Sequence, residues 1–177
     1  MTLDGKSGLN RAVGFILRSG LRLHTQSNCF SHVQHGLHEG LSTRGYRSVF
    51  LGSEQDLGVR TVQQKLQQNP VFGLAVLGQV DVKFLKAIKA VQPNVVVISE
   101  SYPGVCHSVL PNERQALSLL VEHLVELGHR RFVWVAGDKG LDYNVRRYAA
   151  LDESLGQHDL KVADKFAVNV ELGDRLG

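Results

Sequence analysis

Cysteine is scarce: Cys29 and Cys106 are the two in 177 residues. They form no CxxC pair and no closely spaced cluster, and one disulfide between them is the alternative to two free thiols. So few thiols suit a reducing compartment, and a cytoplasmic location is expected. Long apolar runs are missing as well. No window approaches the roughly eighteen consecutive apolar residues that span a bilayer. The opening "MTLDGKSGLNRAVGFILRSG" has no apolar core leading to a small-residue cleavage site, so no export signal is read there and no membrane partner is expected. Nor does charge of one sign dominate. Twenty basic and seventeen acidic side chains leave a net +3, spread along the chain. Arg130-Arg131 and Arg146-Arg147 are too short to make a basic stripe, so these residues are not where DNA is expected to be held.

Catalytic signatures are absent too: no HExxH, GxSxG, P-loop or GxGxxG occurs. The run "GDKG" (137–140) joins a strand pattern to a helix pattern and offers backbone N–H groups to a polar ligand. As a phosphate motif it lacks the glycine spacing and the Lys-Ser/Thr ending. Asp138, Asp142, Asp152 and Glu153 supply carboxylates, but no pair is marked out for acid/base work. No catalytic residue and no cofactor is therefore expected.

What the chain does have is alternation. Hydrophobic content of 43% and charged content of 21% are those of a soluble globular domain. Short apolar runs alternate with amphipathic ones, the pattern of parallel βα units. The expected strands are "AVGFIL" (12–17), "YRSVFL" (46–51), "VFGLAVLG" (71–78), "NVVVIS" (94–99), "RFVWVAG" (131–137) and a last one within 161–170. The expected helices cover 31–44, 56–69, 81–91, a segment from an Asn112 cap to a Gly128 stop, and 144–155. In the fourth helix the inward stripe reads as Ala116, Leu117, Leu120, Leu124 and Leu127. "ESYPGVCHSVLP" (100–111) has turn formers and no helical period, and is the candidate crossing between two lobes.

"FSHVQHGLHEG" (30–40) raises the question of a metal site. At 100° per residue Val33, Leu37 and Leu41 share one face, with Gly36 and Gly40 beside them letting the backbone approach a sheet. His32, His35 and His38 point the opposite way, to solvent, with Glu39. Three imidazoles strung over two exposed turns do not converge on one ion, and a structural zinc wants four ligands. No metal ligand is assigned.

The stretch "LVEHLVELGHRRFVWVAGD" (120–138) resembles the effector-binding domain of the LacI/GalR family of bacterial transcriptional regulators, in which a helix ending "HLxxLGHRRI" leads into a strand and a small-residue turn. "SNCFSHVQHGLHEGLSTRGY" (27–46) is similar to that family's "sNPFF…G…a…rGY" segment, with Cys29 in place of proline. "NVVVIS" resembles "PVVLID", and "NVRRYAAL" resembles the later "R…RxxGy" helix. The likeness covers roughly 11–170. It implies an α/β fold of parallel-sheet, Rossmann-like lobes of the periplasmic-binding-protein-like type I class, with residues 1–107 as the N-terminal lobe and 108–177 as an incomplete C-terminal lobe. The family's helix-turn-helix headpiece has no counterpart in these residues.

The resemblance further implies a sensor that binds a sugar or related small molecule in an inter-lobe cleft. That event controls DNA binding through the headpiece, in a full-length homodimer. Ligands of open α/β sheets sit beyond the carboxyl ends of the strands. There the candidates are Phe30, which matches the family's loop aromatic, with Asn28, Gln79, Ser99, Tyr143 and Arg147. Arg147 aligns with the family's effector-binding arginine, whose planar fork suits vicinal hydroxyls or a carboxylate. Ser99 stands where the family commonly carries aspartate, Ala150 where it carries glycine, and "RSGLRLHTQ" (18–26) is longer and more basic than usual. With Arg18, Arg22 and Arg147, these departures favour a less hydroxylated or anionic effector over a neutral hexose. Two other readings use the same elements: a solute-binding protein of a transport system, which needs an export signal, and a small α/β enzyme, which needs a motif.

Overall fold

The computed structural model describes residues 11–18, 28–68, 70–137, 141–163 and 167–169, side chains excepted at Asn28, Val59 and 167–169. It divides into two compact units, Met1–Leu110 and Pro111–Gly177. The first begins with β1 (Ala12–Leu17), α1 (Asn28–Ser42), β2 (Arg47–Ser53), α2 (Val59–Gln68) and β3 (Gly73–Leu77). It continues with α3 (Val82–Val91), β4 (Val95–Ile98) and β5 (His107–Val109). The strands form one sheet in the order β2-β1-β3-β4-β5, every pairing parallel. Strands buried on both faces must be apolar throughout, and β3, "GLAVL", is buried at every residue.

Period-2 alternation divides the core between the faces. Ile16, Leu74, Val76, Val95 and Val97 pack with Val62 of α2 and with Phe84, Leu85 and Ile88 of α3. On the other face Phe15, Leu17, Ala75 and Leu77 meet Phe30, Val33 and Leu37 of α1. Burying a leucine or isoleucine completely stabilises by about 1.5–3 kcal/mol, so this sheet is the main source of the unit's stability. α1 starts three residues ahead of the expected helix. It closes with Gly45 N–H bonded to the Ser42 carbonyl and Tyr46 N–H to that of Leu41 (both 2.9 Å). This closure requires a left-handed residue, and Gly45 has φ +74°. Asp81 caps α3, accepting from the N–H groups of Lys83 and Phe84.

Three expectations change. The segment 100–111 contains strand β5, which pairs along β4. Its polar sequence hid it, because an edge strand has one neighbour and needs no continuous apolar run. His32, His35 and His38 are exposed on α1, but Gly36 has nothing within 4 Å of where a Cβ would stand, so it does not bring the helix close to the sheet. His35 faces Glu39 at 4.0 Å, and His38 Nδ1 lies 2.8 Å from Ser48 Oγ. The described residues contain no group of three side chains able to hold a metal ion, and no helix long and apolar enough to cross a membrane.

The second unit comprises α4 (Glu113–Glu126), β6 (Trp134–Ala136), α5 (Asp142–Gly156) and β7 (Ala167–Asn169). β6 and β7 form a two-stranded parallel sheet. Asn112 Oδ1 accepts from Gln115 N–H at 3.1 Å as the helix cap. α4 and α5 pack through Val121, Leu151 and Leu155, with Leu117 and Val125 against them. The inward stripe is thus the third change. It runs through Leu117, Val121 and Val125, while Leu120 and Leu127 are more than half exposed. Packing against α5 centres the contact on Val121, which rotates the leading leucines of the apparent stripe towards solvent.

Candidate functional site

In the first unit the carboxyl ends of four strands are bound into one polar rim. Arg18 N–H donates to the Leu77 carbonyl (2.9 Å), Gly78 N–H to that of Ile98 (2.9 Å), and Glu54 N–H to that of Leu17 (2.8 Å). Gly78 has φ +86°, and a Cβ there would lie 2.6 Å from Arg18 Cδ, so the arginine stem crosses directly over the turn. The next residues are fixed from two sides. The Tyr102 hydroxyl accepts from Val80 N–H (2.7 Å) and donates to the Val80 carbonyl (2.5 Å). Glu54 Oε1 accepts from Asp81 N–H at 2.7 Å. Gln79 therefore sits half-buried in a turn held on both flanks.

Ser99, at the exit of β4, adopts φ +70°, and its N–H donates to the Val109 carbonyl at 2.8 Å. A left-handed backbone at a residue with a Cβ costs about 1–2 kcal/mol and marks a corner over-determined by its surroundings. The chain turns there so that Glu100 is buried to 1% exposure, with Oε1 accepting from Ser101 N–H at 3.0 Å. Glu100 and Tyr102 were not among the sequence candidates. A carboxylate one residue past the usual aspartate position was the available signal for Glu100. Tyr102 gives none, because its partner is 22 residues away.

Phe30 packs half-buried against Phe15, Leu17, Ala75 and Leu77, as a core residue of α1. Asn28 begins α1, and its side chain lies outside the described residues, as do Arg22 and residues 138–140. An open groove of about 830 Å³ lies elsewhere, at the amino ends of β3 and β4 beside Leu37 and Leu41, and none of the six candidates lines it.

In the second unit α4 leads into β6 and α5 leaves it, which places the start of both helices at the carboxyl end of β6. Tyr143 and Arg147 are one turn apart on α5, with the guanidinium carbon 5.0 Å from the tyrosine ring centroid. Arg147 Nε donates to Glu113 Oε2 at 2.8 Å, and the two side chains are 39% and 12% exposed. Arg147 is therefore not a solvated helix charge. It is oriented by a carboxylate and an aromatic face.

No family model matches the chain. Among curated proteins it is 28% identical over 138 residues to the maltose regulon regulatory protein MalI of Escherichia coli strain K12, covering 75% of this chain and 38% of that protein. It is 25% identical over 148 residues to the arabinose metabolism transcriptional repressor of Geobacillus stearothermophilus, 79% of this chain and 40% of that one. Among solved structures, a LacI family transcriptional regulator from Lactobacillus casei with bound glucose superposes with a TM-score of 0.65 at 20% identity, over 89% of this chain and 59% of that one. The chain is similar in fold to solved LacI-family regulators. Its mixed α/β units, with a parallel sheet, are those the LacI-type likeness implied. The chain spans about two fifths of the length of the curated relatives it matches.

Proposed function

We propose that the chain is the effector-sensing part of a LacI-family transcriptional regulator, responding to a sugar or related small molecule and acting on DNA through a helix-turn-helix headpiece outside these residues. Taken by itself, each unit carries candidate polar groups on the carboxyl-end side of its strands: Gln79 and Ser99 in the first, Arg147 and Tyr143 in the second. A sugar needs oriented donors and acceptors for its hydroxyls and an aromatic or apolar face for its ring. The observation that carries this reading is the relationship to two named regulators of sugar metabolism across three quarters of the chain. Control follows from population shift, in which the effector moves the protein towards the state it binds better, by no more than its differential affinity for the two states.

The test is a thermal-shift screen of the full-length protein against sugars, sugar phosphates, sugar acids and nucleotides. A ligand that binds the folded state raises the melting temperature by mass action. A sugar-class compound is expected to do so. A shift by a nucleotide and by no sugar-like compound refutes the effector assignment.

A further inference from the structure

We propose that Glu113 is the positioning residue for Arg147, holding its guanidinium by Nε and cancelling its charge, so that this part of the site meets a neutral hydroxylated ligand and not an anion. The class of ligand rests on the function proposed above, whereas the positioning role does not. Ion pairs join α4 to α5 at two points among the described residues, Glu113 with Arg147 and Arg114 with Glu153. They differ in setting. Arg114 is 75% and Glu153 43% exposed, a solvated surface pair. Glu113 is 12% exposed, in the first turn of a helix whose start is fixed by the Asn112 cap. Its backbone is thus held by the cap independently of Arg147.

A guanidinium held by Nε keeps its terminal nitrogens in a fixed plane, and the Tyr143 ring backs that plane at 5.0 Å. The second carboxylate oxygen, Glu113 Oε1, is buried and has no hydrogen-bond partner among the described residues. A buried carboxylate oxygen without a donor is a costly feature that calls for a partner. What stays open to a ligand is thus the guanidinium, its charge balanced by a carboxylate behind it and its plane backed by an aromatic face. Hydroxyls, which accept a hydrogen bond without bringing charge, match a guanidinium so balanced. A carboxylate or phosphate matches only the arginine and is repelled by Glu113. This reverses the anionic preference drawn from counting Arg18, Arg22 and Arg147 along the sequence.

The test reads Arg147 directly, by the side-chain Nε–H signal in a nitrogen–proton correlation spectrum, assigned by its loss in Arg147→Lys. In the unchanged protein this signal is expected to exchange slowly with water and to be unmoved by inorganic phosphate. Glu113→Gln keeps the shape and an acceptor but removes the charge. It is expected to retain the signal and to bind phosphate at Arg147 about tenfold more tightly, the scale of one charge-assisted contact. Glu113→Ala is expected to lose the signal to exchange. Glu153→Gln is the control, since it breaks the other ion pair and should leave the Arg147 signal in place. The proposal is overturned if Glu113→Ala leaves Arg147 as protected as before. It is equally overturned if phosphate acts alike on the unchanged protein and Glu113→Gln. Absence of any sugar response in the thermal screen would instead count against the function proposed above, with the Nε–H result standing.

Discussion

Among the described residues, the first unit sandwiches a five-stranded parallel sheet between α1 on one face and α2 with α3 on the other, and its principal core gathers fourteen buried residues. The described residues of the second form a two-stranded sheet and a core cluster of four, Val121, Leu151, Leu155 and Val162. Local structure does not explain the contrast. α4 is capped by Asn112 and closed by bonds from Gly128 N–H to Val125 and from His129 N–H to Leu124, as well finished as any helix in the first unit. What differs is the surface left uncovered. Leu119, Leu120, Leu127, Val133, Val135 and Val145 of the second unit are all more than half exposed. Helices form from caps and stripes, but most of their stability comes from packing an apolar face, and among the described residues of the second unit more of that face stays open.

That comparison can be broken most forcefully by truncating the larger core. Leu85 is fully buried, and Leu85→Ala is expected to cost about 3 kcal/mol, confined to the first unit. The single tryptophan, Trp134, lies in the second unit against Tyr148, so its fluorescence reports that unit alone. In urea the Trp134 transition should come first and stay in place in Leu85→Ala, while the later transition in far-ultraviolet circular dichroism moves down. If both move together, the units do not unfold independently.

A smaller effect sharpens the picture within the first unit. Tyr102→Phe removes both bonds to Val80, at a cost of about 1 kcal/mol. Hydrogen exchange should quicken at Val80 and leave the β3 amides unchanged, since the strand is held by its own pairings. Equal quickening in β3 would mean that Tyr102 supports the whole sheet instead of one rim.

The smallest effect is chemical. Burial raises the Cys106 thiol above its ordinary value, a shift that Lys89 only partly opposes. A raised value in the folded state favours the neutral thiol, so the associated stability is present below the ordinary thiol range and is lost as pH rises through and above it. Exposed Cys29 should therefore be alkylated first by iodoacetamide at pH 8, and Cys106 should react appreciably only at higher pH or after unfolding. Equal rates at pH 8 would place Cys106 outside the first unit's packed interior.

Much of this fold is legible in the sequence where burial is symmetrical or a cap is explicit. β1 occupies the expected residues because a strand covered on both sides is apolar throughout, and the Asp81 and Asn112 caps fix the starts of α3 and α4. Legibility ends where tertiary contact decides. β5 carries histidine and serine because only β4 flanks it. The stripe of α4 was rotated by its meeting with α5. At the candidate site the motif likeness pointed to Tyr143 and Arg147, which stand together in the second unit. Glu113 and Tyr102 left no local trace, since their partners lie 34 and 22 residues away.

Ser99 leaves β4 through a backbone conformation that glycine would enter without resistance, yet the residue there carries an oxygen. A glycine at this corner would fold more easily and carry no polar atom. The hydroxyl is instead mounted on a backbone with little freedom to yield, so the place of that oxygen at the strand's exit is set by the fold itself.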